Sequence, residues 1–358
     1  MKEQNNSIEL KNHILEFKNE QLKRKDRTYI LKKFICNNGL VLIITIISLY
    51  FLLINKDTNK GKDNHKNFIE ISNEKNEVLG EINCVYEVSS LNRKVPLFGK
   101  EFIKSSNFSV YLDSKLIQFS KEYEFKTLGK HDLKILLYED LNMDYMFKEV
   151  PNLVSINMTS NKNCKILSMI STFQNDHSFI YFTINGFNAE KIKSMKYCFY
   201  NSSLVRFSFH SFDSKNLEDI SYMFSRTKFY SFSLNGLNTI NIKNMSHLFE
   251  NNLNLGEFSQ EDFNTSKVKD LSFMFSNCYS LSRINISKFD TNNVESTAGL
   301  FYYCLNLESI DISNFNLSNN KDMSNMFSSC YHLDYLNLGK IITTNVENMS
   351  GLFYGCSN

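Results

Sequence analysis

The chain has 358 residues, with 40 Lys and Arg against 38 Asp and Glu, 31 Phe, 18 Tyr and no Trp. Its apolar fraction of 42% excludes global disorder, and only 12 Gly and 8 Cys exclude the collagen-like and disulfide-miniprotein classes. A net charge of +2 argues against a bulk nucleic-acid binder, which is normally clearly basic. We therefore expect no nucleic acid among the partners.

Residues 37–54 are predicted to form a single transmembrane helix. The apolar run LVLIITIISLYFLLI extends from Leu40 to Ile54, about 22 Å of helix, and extension towards Phe34 approaches the roughly 30 Å of a bilayer core. A buried core helix and a cleaved signal peptide are the alternatives, but no small-x-small cleavage site follows the run.

Charge predicts the orientation of this segment. The tail, residues 1–36, holds nine basic and five acidic side chains, and more Lys and Arg lie just before the apolar run than after it. The positive-inside rule places such a tail in the cytoplasm and the rest of the chain outside the cell. Residues 55–81, rich in Asn, Lys, Asp and Glu, are typical of a polar linker.

Residues 82–139 are predicted to form a small β-rich module. Short alternating runs at 108–112, 115–117 and 133–136 are typical of strands. We expect this module to close the open end of the structure that follows. An enzyme with its site in this module is an alternative that the sequence leaves open, although the segment carries no catalytic pattern.

A repeat of 25 or 26 residues fills residues 140–358 in about nine copies. Such a period is typical of a solenoid, in which each unit buries its apolar face against its neighbours. One phenylalanine recurs at the same place in every copy. These repeat phenylalanines, predicted to be structural anchors of the core, are Phe147, Phe173, Phe199, Phe224, Phe249, Phe275, Phe301, Phe327 and Phe353.

The positions around each repeat phenylalanine predict a short helix. Mostly apolar residues recur four and one residues before it, and cysteines three residues after it in the last four copies, which is the spacing of a helical stripe. The residue five before it is always Asn, Ser or Asp, the types that cap a helix N-terminus. These predicted caps are Asn142, Ser168, Ser194, Asp219, Asn244, Asp270, Ser296, Asp322 and Asn348.

After each predicted helix the apolar spacing changes to alternation, as in Ile284 and Ile286 around Asn285, which predicts a half-buried strand. A second apolar position follows at Phe187, Phe212, Leu237, Phe263, Phe289, Phe315 and Ile341. Stacked copies would form a parallel sheet on one side and a row of helices on the other. The predicted fold class is therefore an α/β repeat, a leucine-rich-repeat-like solenoid preceded by the module and the transmembrane helix.

The stretch LSRINISKFDTNNVESTAGLFYYC, with KDLSFMFSNC and NVENMSGLFYGC, resembles the BspA-like leucine-rich repeats, also called the bacterial surface protein 26-residue repeat. The resemblance covers residues 140–358 and is looser before Phe249. It implies a curved right-handed solenoid in a cell-surface protein with a role in adhesion or interaction. Many bacterial members are lipoproteins, whereas no Cys follows the apolar run here at a lipobox position.

The sequence predicts no enzyme, no cofactor and no metal site. The seven histidines are scattered, and the four in the repeats occupy different repeat positions. No phosphate-binding loop, dinucleotide fingerprint or nucleophile elbow is present. Cys278, Cys304, Cys330 and Cys356 share the predicted buried face and should form a column of packed thiols. Disulfides between coils are an alternative, and Cys84 with Cys164 is the more plausible pair.

The outward side of the predicted strands is the candidate binding face, for a protein or glycan ligand. Repeat solenoids commonly bind along such faces, although a merely solvated sheet face demands the same residues. We predict a membrane-anchored surface protein for recognition or adhesion; the alternative is an intracellular membrane-tethered scaffold. The candidate residues are Tyr181, Thr183, Asn185, Arg206, Ser208, His210, Glu257, Ser259, Glu261, Arg283, Asn285, Ser287, Ser309, Asp311, Ser313, Tyr335 and Asn337.

Overall fold

The structure, a computed structural model, describes residues 77–91, 93–233, 236–259 and 263–357. Within these ranges the chain forms strands and turns and contains no α-helix. The strands are β1 (Gly80–Val88), β2 (Val95–Pro96), β3 (Phe108–Leu112), β4 (Lys115–Ile117), β5 (Glu122–Tyr123), β6 (Gly129–Leu137), β7 (Leu141–Asn142), β8 (Leu153–Thr159), β9 (Ile166–Ser168), β10 (Tyr181–Asn185), β11 (Arg206–His210), β12 (Glu257–Ser259), β13 (Arg283–Asn285), β14 (Ser309–Asp311) and β15 (Tyr335–Asn337).

The repeats form a β-solenoid whose successive coils contribute neighbouring parallel strands. The largest sheet has seven strands in the order β11-β10-β8-β1-β6-β3-β4, and β12-β13 and β14-β15 form two further pairs. β8, β10 and β11 pair in parallel, whereas β1 joins β8 and β6 antiparallel. Strands of the module preceding the repeats therefore extend the sheet of the first coils.

The prediction of a short helix in each copy is wrong. Around Phe199, the amide of Cys198 donates to the carbonyl of Met195 at 3.0 Å, a bond between residues three apart that closes a β-turn. The amide of Phe199 donates to a neighbouring coil instead, to the carbonyl of Met223 at 3.0 Å. Tyr197 has a φ of 57°, which an α-helix does not contain. Each copy therefore has a segment of consecutive turns, and the leucine-rich-repeat-like α/β class does not apply.

The turn segments, from five residues before to three residues after each repeat phenylalanine, satisfy the helical pattern for a different reason. Counted from the repeat phenylalanine, the apolar positions −4 and 0 are four residues apart, and so are −1 and +3. Consecutive four-residue turns place the two side chains of such a pair on the same side of the backbone. Most of the predicted capping residues accept a backbone amide two residues later, but in a turn. Asp270 Oδ1 accepts the amide of Ser272 at 2.8 Å, and Asp322 does the same for Ser324 at 2.8 Å.

The repeat phenylalanines form one continuous stack through the core. Neighbouring rings lie with centroids 5.2 to 6.2 Å apart and are nearly parallel throughout. All are buried except Phe353, which is 44% exposed. Such pairs add stability beyond the area that they bury. The repeat phenylalanines therefore connect the cores of successive coils.

Buried threonines also link successive coils through hydrogen bonds to the backbone. Thr265 and Thr291 are buried, and the hydroxyl of each accepts a backbone amide from the next coil, Asp290 at 2.7 Å and Asn316 at 2.8 Å. Thr265 also donates to the carbonyl of Asp290 at 3.0 Å. Buried hydroxyl groups thus satisfy backbone groups where the sheet pairing is interrupted.

The predicted cytoplasmic tail, the predicted transmembrane helix at residues 37–54 and the linker up to residue 76 lie outside the described residues. In the part of the chain that the structure describes, no helix has the length and apolarity to cross a membrane. The described residues belong to one compact unit.

Candidate functional site

The repeat strands turn alternate side chains into and out of the solenoid. In β10, Phe182 and Ile184 are fully buried, while Tyr181, Thr183 and Asn185 are exposed. In-register pairing of β10 with β8 and β11 lines up equivalent residues of successive coils. Because side chains of a strand alternate between its two faces, the outward row becomes a regular grid. We call this outward row of the repeat strands the strand face.

Most of the predicted binding residues lie on the strand face or directly after its strands. Ser208 and Asn337 are half-buried, Glu261 lies outside the described residues, and the remaining predicted residues are exposed. Ser287 and Ser313 lie two residues past β13 and β14, in turns. The amide of Ser287 donates to Asn285 Oδ1 at 3.1 Å, and that of Ser313 donates to Asp311 Oδ1 at 2.8 Å.

Hydrogen bonds between coils order the strand face. Three contacts run along it: Thr183 Oγ1 donates to Asn157 Oδ1 at 2.7 Å, Arg283 pairs with Glu257 at 3.2 Å, and Asn337 Nδ2 donates to Asp311 Oδ2 at 3.0 Å. The hydrogen bonds from Ser313 and Asn337 lower the pKa of Asp311. A face whose side chains are already held in place loses less conformational entropy when a partner binds.

The sequence did not predict that this face continues onto the module. β1 pairs with β8 and β6, so the outward residues of the module lie in the same sheet as Tyr181. Glu81 accepts bonds from Asn83 at 2.9 Å and from Lys134 at 3.2 Å. A depression of about 500 Å³ is lined in part by Asn83, Tyr111 and Lys134. The alternation of apolar and polar residues within β1 and β6 was the signal in the sequence for outward side chains on the module.

The strand face is divided between β11 and β12. The coil between them packs Phe229 and Phe232 into the core and forms no strand among its described residues. The repeat phenylalanines at both ends of this coil, Phe224 and Phe249, are 25 residues apart, one fewer than in most copies. The break therefore falls in one of the two shortened copies, whereas the other, between Phe199 and Phe224, contains β11.

The sequence also did not predict a row of aromatic side chains in the turn segments. The rings of Tyr197, Tyr222, His247 and Phe273 stack across four successive coils, with centroids 4.6, 4.1 and 5.0 Å apart. Each lies two residues before a repeat phenylalanine, is half-buried and has a positive φ. The ammonium of Lys196 lies 5.3 Å from the ring centroid of Tyr197. The signal for this row in the sequence was the repeat position that the four aromatic residues share.

The histidines and cysteines of the described chain lie apart from the strand face, except for His210 in β11. No group of three or more His, Cys, Asp or Glu among the described residues could hold a metal ion. His131 is buried and contacts Asp113 at 2.7 Å in the module. Every described cysteine is a free thiol, including Cys84 and Cys164, which overturns the pairing weighed for those two.

The repeat region has a recognised family. The model of the family described as "Mycoplasma protein of unknown function, DUF285" matches residues 141–260 and 254–358. The chain belongs to this family. Searches of curated proteins and of solved structures found no match.

The DUF285 match begins at the first residue of β7 and so includes the solenoid but excludes β1 to β6. Its two matched stretches overlap at residues 254–260, around β12. This overlap adjoins the coil that divides the strand face. From residue 141 onwards the chain therefore consists of two successive DUF285 stretches. The first gives way to the second next to the coil that divides the strand face.

Proposed function

We propose that the strand face mediates protein recognition. The observation that carries the proposal is the continuous outward face shared by the first coils and the module, ordered by the bonds of Thr183 to Asn157 and of Lys134 to Glu81. Tyrosine, short polar residues and paired charges favour a protein partner, because Tyr gives large contact area and Asn, Ser and Thr give adaptable hydrogen bonds. A glycan is the other ligand class with this chemistry. The proposal contains no catalytic step and no cofactor.

We extend the proposal to the location of the solenoid. Tethering at a membrane, with the repeats outside the cell, rests on the apolar run and on the charge of the tail in the sequence. The finer likeness to BspA-like repeats, and the role in adhesion that it implies, rest on the sequence pattern as well. Protease treatment of intact cells tests the location: repeats that resist external protease would contradict it.

A binding comparison between variants tests the face itself. The full-length chain would be applied to a panel of immobilised proteins and glycans beside a variant with Tyr181→Ser and Arg206→Ser. The control is Lys269→Ser, which changes an exposed residue just before a turn segment, away from the strand face. We expect the face variant to lose a signal that the control keeps. Equal binding by all three would show that the strand face is not the surface used.

A further inference from the structure

Several side chains of one column donate hydrogen bonds to the backbone inside the solenoid. This column lies three residues after each repeat phenylalanine. The thiols of its four cysteines donate to the carbonyl of a repeat phenylalanine one coil back, at 3.1 or 3.2 Å. The members of the column are Val150, Asp176, Ser202, Thr227, Asn252, Cys278, Cys304, Cys330 and Cys356.

Asn252 shows that the donor need not be a thiol. Its Nδ2 donates to the carbonyl of Phe224, one coil back, at 2.8 Å. Its Oδ1 accepts the hydroxyl of Thr227, the previous member of the column, at 2.6 Å. A side chain with one donor and one acceptor therefore suits this buried place.

Asp176 holds the same place in the second coil and is fully buried. Its Oδ1 accepts the amide of Val150 at 2.6 Å, whereas its Oδ2 is buried without a hydrogen-bond partner. Phe147 stands 29 residues before Asp176, the separation between Cys304 and the carbonyl that it contacts in Phe275. A carboxylate only accepts hydrogen bonds, so the charged form would face a carbonyl with no hydrogen to give.

The charged groups around Asp176 also oppose its ionisation. Burial raises the pKa of Asp176, the amide of Val150 lowers it, and the negative charge of Glu149 raises it again; the net change is upward. Tyr86 on β1 is the titratable group facing it from the module, with Cys84 beside that tyrosine. The hydroxyl of Tyr86 already donates to the carbonyl of Leu97 at 2.7 Å. Neither Glu149 nor Tyr86 can compensate a negative charge.

We infer that Asp176 is a neutral carboxylic acid in the folded chain, and that its Oδ2 hydrogen is donated to the carbonyl of Phe147. A protonated carboxyl then performs the role that cysteine performs in the last four coils. Because Asp176 accepts the amide of Val150 in the first coil and interacts with Tyr86 of β1, its ionisation would loosen the junction between the module and the solenoid. The junction is thereby sensitive to pH.

The direction of the pH effect follows from proton linkage. The folded chain holds a proton on Asp176 that the unfolded chain releases at about pH 3.9. The folded state therefore binds more protons, and the stability that this proton gives is complete below that pH. It falls as the pH rises towards the higher pKa of the folded state. The module-solenoid junction should be tightest in acid.

The test compares the full-length chain with Asp176→Asn, because asparagine offers the donor and acceptor seen at Asn252. We expect the two proteins to unfold at similar temperatures at pH 4, and the variant to unfold at a higher temperature at pH 8. The control is Asp219→Asn, at a residue whose Oδ1 accepts the amide of Ser221 at 2.9 Å in a turn. The difference in unfolding temperature between Asp219→Asn and the parent chain should not increase from pH 4 to pH 8. A difference between Asp176→Asn and the parent chain that stays constant with pH would overturn the inference.

A second measurement does not depend on the variant folding. The parent chain, labelled with ¹³C in the aspartate carboxyl groups, would be titrated by NMR. One resonance should keep the chemical shift of a protonated acid while every other described aspartate has ionised. If all aspartate resonances move to the ionised position together, Asp176 is charged and the inference fails.

Discussion

The thiol of Cys304 lies 3.1 Å from the carbonyl oxygen of Phe275 in the preceding coil and donates a hydrogen bond to it. Both residues are fully buried, and burial raises the pKa of the thiol well above its usual value. The sulfur therefore stays protonated and unreactive. The four cysteines of this column act as small hydrogen-bond donors, buried in all but the last coil.

Replacing this donor by an apolar residue should cost more than replacing it by a smaller donor. We expect Cys304→Val to lower the free energy of unfolding by about 1–3 kcal/mol, because the carbonyl of Phe275 is left buried without a partner. Cys304→Ser keeps a hydrogen donor and should cost less. Urea unfolding of the full-length chain measures both. A serine variant less stable than the valine variant would contradict the donor role.

We expect the stability that a repeat phenylalanine contributes to depend on its burial and on its number of stacked neighbours. Phe224 is fully buried between Phe199 and Phe249, at centroid distances of 5.6 and 6.2 Å. Phe224→Ala should cost about 3–5 kcal/mol, since it removes apolar contacts and leaves a cavity. Phe353→Ala is the matched control, because that ring is 44% exposed and stacks on one neighbour. Equal losses in urea unfolding would contradict the stack as a source of stability.

The spacing of the sequence predicted the period, the core phenylalanines and the strands, but not the shape of the turn segments. Tyr181, which period-two alternation predicted to face outward, is exposed and its neighbour Phe182 is buried, because a strand turns adjacent side chains to opposite faces. The four-residue separation that indicated helices fits consecutive turns equally well. Asn201, Asn277 and Gly355, two residues after repeat phenylalanines, have positive φ. Their types were the local signal against a helix.

The extent of the candidate site depended on pairing between distant segments. Ile82 of β1 pairs with Met158 of β8, 76 positions later in the chain. Alternation within a strand predicts which residues face outward, but not which strand lies beside it. The face on the repeat strands could therefore be predicted, whereas its continuation over Asn83 and Lys134 required the structure.

A glycine substitution distinguishes turns from a helix by the sign of its effect. Arg226 is exposed and has a φ of 59°, a conformation that costs a non-glycine residue about 1–2 kcal/mol. Glycine has no such cost but loses about 0.5–1 kcal/mol more entropy on folding. Arg226→Gly should therefore stabilise the chain by about 0.5–1 kcal/mol, whereas in a helix it would destabilise by about 1 kcal/mol.

The control for this substitution is Lys228→Gly, at an exposed residue that does not have a positive φ. There, glycine only adds freedom to the unfolded chain and should lower the stability. Both variants are compared with the parent chain by thermal and urea unfolding. A loss of stability in Arg226→Gly as large as in Lys228→Gly would contradict the left-handed turn.

The module should show its own pH dependence through His131. Burial lowers the pKa of His131, but its 2.7 Å contact with Asp113 and its 3.0 Å contact with the carbonyl of Thr127 outweigh that effect, so the pKa is raised. The protonated histidine therefore stabilises the fold. This contribution is complete below the unfolded pKa of about 6.5 and is lost as the pH rises through the folded pKa.

Asp113→Asn should lower the pKa of His131, because it removes the negative charge that faces the imidazolium. The asparagine oxygen can still accept the amide of Asp132, which contacts Asp113 Oδ1 at 3.1 Å. An NMR titration of the His131 ring measures the change, with Asp132→Asn as a control that removes a charge without removing the hydrogen bond. A His131 pKa that falls equally in both variants would assign the effect to general charge and not to the contact with Asp113.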